Sequence, residues 1–435
     1  MMKKYFYTLL LFVSALQLAN AQAEKLNDLL YELPDVIFTE LEAPEGYQAA
    51  YELKIKQPLD HADASKGFFY QRAFLSHIGF EAPTVIVTQG YNRTLNQIGE
   101  LANFLGANQI DVEHRFFGNS VPDSLDYKYL NLKQATADLH HIRTLFARMY
   151  KDKWVSTGIS KGGATTIYYR YYYPNDVDVS VPYVAPINRE VEDQRLYSFL
   201  ESVGSDECRE KIRSFQERIL SAREEALPLL KFYSLGAKVD YTYHTFEEAF
   251  EFTVLEYPFS FWQYGQDCNA IPDENASVEE MVTYLLSVSD IAFFGDEMVK
   301  AYGSHYYQSA QEMGYYGYET KNFEGYLVAL PNDENPQATF VPNKMEVEFD
   351  GQLLKDVNAW LEKGVDRMAY INGALDTWSA TAVPENDKAD AEWFFMAGKH
   401  HGNARIVNMT EAEKERFTAA MEKWLSMEIK NPDTP

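Results

Sequence analysis

From Gln48 to Lys56 apolar and polar residues alternate, and they alternate again from Phe68 to Leu75. Period-two patterning predicts two strands, and Asp60-His61-Ala62-Asp63 between them predicts the connection of a hairpin. Short β-branched runs follow at Pro83–Gln89, Asn108–Val112, Trp154–Thr157 and Val179–Val184. Between them lie segments of helical period, of which Leu132, Ala135, Leu139, Ile142, Phe146 and Met149 form the clearest stripe. Strands that alternate with helices predict an α/β fold, a mostly parallel sheet covered on both faces. After Pro186 the rhythm changes. Residues 187–345 carry helical stripes such as Ile212, Phe215 and Ile219 and few strand runs, which predicts a helical cap or insertion. The alternation returns with a helix over Leu353–Leu361, strands at Arg367–Asn372 and Glu392–Ala397, and a last helix opened by Thr410 and Glu413 at capping-box spacing. The expected organisation is therefore a core of residues 22–186 and 346–430 around a cap of residues 187–345.

Composition adds a destination. Met1-Met2-Lys3-Lys4, an apolar stretch from Tyr5 to Leu18 and then Ala19-Asn20-Ala21 make the three parts of a secretory signal, so residues 1–21 are expected to be removed and the protein to be secreted or periplasmic. The apolar stretch is shorter than the roughly 20 residues that cross a bilayer, and no later segment is long and apolar enough, so no membrane insertion is expected. Loss of Lys3 and Lys4 takes the formal charge from −26 to −28, which argues against nucleic acid and anionic membranes as partners. Cys208 and Cys268 are the two cysteines; in an oxidising compartment they are free to pair, although sequence leaves their separation open. No His or Cys spacing suits zinc, and no metal or other cofactor is expected. The 31 Tyr and 27 Phe suit peptide or carbohydrate contact as well as core packing.

The chemistry is concentrated in Gly158-Ile159-Ser160-Lys161-Gly162, a G-x-S-x-G string between the strand ending at Thr157 and a helix running from Gly163. A serine on a sharp strand-to-helix turn needs glycines around it, and the turn lifts the hydroxyl above the sheet edge. This is the nucleophile elbow of the α/β-hydrolase fold, with the Lys161 amide facing a developing oxyanion. A serine hydroxyl is a poor nucleophile unless an imidazole takes its proton and a carboxylate steadies that imidazole. In this fold both follow the serine, acid first. Asp376 lies after the strand Arg367–Asn372, and His400 and His401 lie after the strand Glu392–Ala397. The residue after the first core strand supplies the second oxyanion amide, which selects Tyr91.

Gln57-Pro-Leu-Asp60-His61, Gln71-Arg72, Glu113-His-Arg-Phe-Phe-Gly-Asn-Ser-Val-Pro122, Gly158–Gly163, Asp376-Thr-Trp378 and His400-His401 together resemble the secreted prolyl tri- and tetrapeptidyl aminopeptidases, a serine peptidase family related to lysosomal Pro-X carboxypeptidase and dipeptidyl peptidase II. Phe259-Ser-Phe-Trp-Gln-Tyr-Gly265 is similar to that family's aromatic cap segment. The resemblance implies hydrolysis after proline near a free N-terminus, through an acyl-enzyme on Ser160. It implies a triad of Ser160, Asp376 and His400, with His401 and Arg405 behind the base and Trp378 on the proline pocket. A buried core tryptophan is the competing account of Trp378. Glu113 is either a reader of the substrate's amino group or a buried carboxylate paired with Arg115, the pairing being the stronger expectation. The cap acids, among them Glu247, Glu248 and Glu251, leave the anchor of the amino terminus open. The partners expected are peptide substrates, with the oligomeric state left undetermined. An esterase or lipase of the same fold and a non-catalytic peptide or glycan binder are the alternatives.

Overall fold

A computed structural model of the protein describes residues 24–318, 320–330 and 340–429; the expected export signal lies outside the described residues. The strands are β1 (Val36–Leu41), β2 (Ala49–Pro58), β3 (Phe68–His77), β4 (Thr84–Thr88), β5 (Asn108–Val112), β6 (Trp154–Ile159), β7 (Val179–Tyr183), β8 (Ala369–Gly373) and β9 (Glu392–Met396). By density of internal contacts the chain forms two compact units. The first holds the residues up to Pro182, with Arg367–Ala369 and the chain from Thr410; the second holds Tyr183–Asp366 and Tyr370–Met409.

In the first unit the strand order is β1-β2-β3-β5-β4-β6-β7. The hairpin predicted from the alternation is β2 and β3, antiparallel, with Leu53 opposite Ala73. β4 pairs in parallel with both β5 and β6. These inner strands are buried along almost their whole length; β4 accordingly reads as a continuous β-branched run, while β5 buries Asn108, Gln109 and Asp111 by hydrogen-bonding their side chains. The helix Leu132–Phe146 turns Leu139, Ile142 and Phe146 inward, to a cluster that includes Ile86, Ile110 and Trp154. Strand β1, which pairs antiparallel with β2, is not among the expected elements. It is an edge strand whose Val36, Ile37, Phe38 and Leu41 would suit a strand, yet its Ile37 is exposed and no residue of it is fully buried.

In the second unit β8 and β9 are neighbours, and Tyr183, the last residue of β7, pairs in parallel with Ile371. Helices occupy Asp206–Ser221, Arg223–Ala237, Phe246–Gln263 and Val278–Val288. The Asp206–Ser221 helix starts on Ser205, whose side chain accepts from the Cys208 amide, and the predicted stripe Ile212, Phe215, Ile219 is buried. The Phe246–Gln263 helix opens with a capping box, Thr245 with Glu248, and buries almost every residue from Ala249 to Trp262. Cys208 and Cys268 form a disulfide with their Cα atoms 5.5 Å apart. Among the described residues no helix is long and apolar enough to cross a membrane.

The nine-stranded, mostly parallel sheet with its helices is the α/β-hydrolase fold. Residues 370–409 cluster with the helical segment rather than with the strands before Pro182, a division unlike the expected core and cap. The reason is local. The C-terminal end of the Phe246–Gln263 helix accepts hydrogen bonds from both loops of that stretch, from Thr377 Oγ1 to the Phe259 carbonyl and from the His401 amide to the Gln263 carbonyl, each at 3.1 Å.

Candidate active site

In the first unit the chain leaves β6 and turns at Ser160 into the helix Lys161–Tyr172. Ser160 has φ 59° and ψ −127°, a left-handed conformation that costs a non-glycine residue roughly 1–3 kcal/mol and persists because its surroundings enforce it. The turn is possible only between glycines. A Cβ on Gly158 would lie 2.3 Å from the Gly162 carbonyl oxygen, and one on Gly90 would lie 2.7 Å from the Gly162 nitrogen. The second contact also states a proximity: the backbone after β4 passes directly beside the first turn of the helix.

That passing segment is held at three points. The ammonium of Lys161, buried to 2% exposure, donates to the Gly90 carbonyl at 2.8 Å and lies over the rings of Tyr91 and Phe117. The Tyr91 carbonyl accepts the His114 amide at 3.1 Å. Glu113 accepts the Arg93 amide at 2.8 Å. Because a trans peptide points its C=O and N–H in opposite directions, fixing the Gly90 carbonyl also fixes the direction of the Tyr91 N–H.

Glu113 was expected to pair with Arg115; the structure pairs it instead with Arg72, at 2.6 Å. Register explains this. Ala73 of β3 stands opposite Val112 of β5, which brings Arg72 level with Glu113, and the Glu113 amide donates to the Arg72 carbonyl. The remaining acceptor capacity of Glu113 takes the Asn119 amide and the Ser120 hydroxyl. Arg115 instead makes a two-pronged pair with Asp138, which also meets His61 Nε2 at 2.7 Å. Glu113 is thus a knot that holds the loop 113–120 and the segment after Tyr91.

In the second unit Asp376 is fully buried, just past β8. Its Oδ1 accepts the Trp378 amide at 3.2 Å, and its Oδ2 lies 2.8 Å from His401 Nδ1. The acid was expected to steady His400; the structure pairs it with His401. His400 turns the other way. Its ring packs on Gly265, where a Cβ would come within 2.5 Å of Cδ2, and its Nδ1 accepts the Gly402 amide at 3.3 Å. Adjacent residues in a bent loop point to opposite sides, so one of the two histidines must face away from the acid. An ionised carboxylate only accepts, so it selects the tautomer of His401 with hydrogen on Nδ1 and leaves the Nε2 lone pair available. Arg405 braces the loop backbone, donating to the His401 carbonyl at 3.1 Å and the Ala404 carbonyl at 2.8 Å. Trp378, 8% exposed, sits 5.3 Å from the ring centres of both Tyr315 and Tyr316.

A strained serine at a strand-to-helix turn, on this fold, defines the class of an α/β hydrolase. The PS-10 peptidase S37 family profile matches residues 19–432. Over 413 residues, 93% of this chain and 86% of the relative, the chain is 30% identical to the prolyl tri/tetrapeptidyl aminopeptidase of Streptomyces mobaraensis. It is also 30% identical over 155 residues to a putative serine protease of Caenorhabditis elegans, a match covering 31% of this chain and 30% of that one. The chain belongs to the PS-10 peptidase S37 family and is a serine peptidase.

Proposed function

We propose that the protein is an exported exopeptidase that cleaves after proline near a free N-terminus, through an acyl-enzyme on Ser160. The observation that carries the reading is the buried Asp376–His401 hydrogen bond on a chain that also presents Ser160 at a glycine-flanked elbow. In this mechanism His401 Nε2 removes the Ser160 hydroxyl proton as Oγ attacks the carbonyl carbon of the proline residue, and the imidazolium is stabilised by Asp376. The amides of Lys161 and Tyr91 receive the oxyanion. The imidazolium then gives its proton to the departing amine, leaving the acyl group on Ser160. Water, deprotonated by the same nitrogen, releases the acyl group as a free carboxylate and restores the serine. His400 supports the loop rather than carrying the proton.

Trp378 walls the pocket for the proline ring, a flat indole against a rigid pyrrolidine. The relative's name supports proline and a short released peptide. The disulfide supports export, since such bonds persist in oxidising compartments. The test is product analysis by mass spectrometry on a library of proline-containing peptides with free and acetylated N-termini. Cleavage after proline on free-amine peptides is expected, together with fluorophosphonate labelling that Ser160→Ala abolishes. Fast release from p-nitrophenyl esters with no turnover of Ala-Ala-Pro amides would replace this reading with an esterase.

A further inference from the structure

Buried acids in the second unit mostly have visible employment. Glu251 meets Arg223 and accepts the amides of Val328, Ala329 and Leu330; Asp193 is paired with Arg195; Asp376 meets His401. Glu256, 6% exposed on the same helix as Glu251, differs from them. Its Oε2 accepts the hydroxyls of Tyr316 at 2.7 Å and Tyr318 at 3.0 Å, and its Oε1 accepts the Ser260 hydroxyl at 3.1 Å. Among the described residues none of its partners is a cation. A carboxylate offers about four lone-pair directions, so three donors leave one open, on Oε1. An ionised carboxylate held out of water without a cation is costly, and burial raises the Glu256 carboxyl to about 7 despite its three hydroxyl donors.

Its position links it to the acid and imidazole. Tyr316, which binds the carboxylate, stacks on Phe259 at 4.0 Å and meets Trp378 at 5.3 Å, and Trp378 donates its amide to Asp376. The Tyr264 phenol, raised chiefly by partial burial although the residue is 55% exposed, also feels the charges of Glu256 and Asp376. From Glu256 to Gln263, whose carbonyl holds His401, is seven residues of helix. At about 1.5 Å of rise each this is about 10 Å, the reach of about three extended residues.

We infer that Glu256 is the anchor for the α-ammonium group of the peptide substrate, the Oε1 carboxylate oxygen receiving the positive charge while the Tyr316 and Tyr318 hydroxyls hold the carboxylate in place. This rests on the proposed N-terminal exopeptidase activity and deepens it: the arriving ammonium is the cation that this buried acid lacks.

The experiment compares Ala-Ala-Pro p-nitroanilide carrying a free N-terminus with its N-acetyl form, in wild type and in Glu256→Gln. Wild type is expected to favour the free amine at least tenfold in kcat/KM. Glu256→Gln is expected to raise KM for the free amine by tenfold or more, to leave the acetylated substrate nearly unchanged, and so to bring the ratio close to one. Equal losses on both substrates, or an undiminished ratio, would make Glu256 a structural acid and overturn the inference. Absence of prolyl turnover, or of any preference for the free amine, in wild type would instead refute the proposed activity itself. Should Glu256→Gln fail to fold, the wild-type ratio is followed from pH 8 to pH 6. The groups around the carboxylate are the phenols of Tyr316, Tyr318 and Tyr264, with Asp376 and His401 beyond them. Effects of pH on the shared catalytic groups fall on both substrates alike and cancel in the ratio; only the free amine also carries its own ammonium, complete below about pH 7, so the fall on further acidification belongs to protonation of Glu256. A fall of several-fold through pH 7 is expected, and a flat ratio would overturn the inference.

Discussion

Two neighbouring histidines invite a direct comparison, since replacing His401 and replacing His400 should differ by several orders of magnitude. His401 Nδ1 is 2.8 Å from a fully buried carboxylate oxygen, and its other nitrogen is the one proposed to take the Ser160 proton. Removing a proton-carrying triad member costs on the order of 10⁶ in kcat. At about 1.4 kcal/mol per tenfold this is about 8 kcal/mol of transition-state stabilisation. His400 has far less to lose. Its Nδ1 accepts one amide at 3.3 Å, a long hydrogen bond whose net worth is about 1 kcal/mol, and its ring rests on Gly265. His400→Ala should therefore cost about tenfold or less, mostly through loosening of the loop. Asp376→Asn falls between the two, at about 10⁴, because an amide can donate to Nδ1 and so stabilise the wrong tautomer. Steady-state hydrolysis of Ala-Ala-Pro p-nitroanilide by the three variants, each checked for native circular dichroism, measures the order. A near-inactive His400→Ala beside an active His401→Ala would refute the assignment and return the base to His400.

Lys161→Met removes a charge-assisted hydrogen bond to the Gly90 carbonyl, worth roughly 1.5–3 kcal/mol, and frees the peptide that carries the Tyr91 N–H. The expected result is a fall of 10- to 100-fold in kcat with KM nearly constant, and weaker binding of a peptide boronate; an unchanged kcat would show that the ammonium does not position the oxyanion amide. Cys208→Ser with Cys268→Ser opens a loop of 60 residues, for which the chain-entropy relation gives about 4 kcal/mol of lost stability, read as a lowered urea midpoint. Arg72→Leu strands the buried Glu113 carboxylate and should cost roughly 3–5 kcal/mol in urea unfolding, with Arg72→Lys recovering part of it.

Local patterning determined a good deal of this protein. The strands β2 to β9 follow from runs and alternations of β-branched and apolar residues, because each element must bury a face or a pair of faces whatever its neighbours are. The turn at Ser160 is readable because its glycines answer a steric need within a few residues. Tertiary structure decided the rest. Which of two consecutive histidines meets Asp376 depends on the direction of a loop that the Gln263 carbonyl and Arg405 hold from outside it. Glu113 chose Arg72 over Arg115 through strand register, a relation between residues 41 positions apart. Glu256 carried one local signal, an acid amid Phe252, Leu255, Phe259 and Phe261 on a helix that is apolar nearly all round. Its meaning came only with Tyr316 and Tyr318, 60 and 62 residues downstream, since the cost of a buried charge is set by the groups that surround it in space.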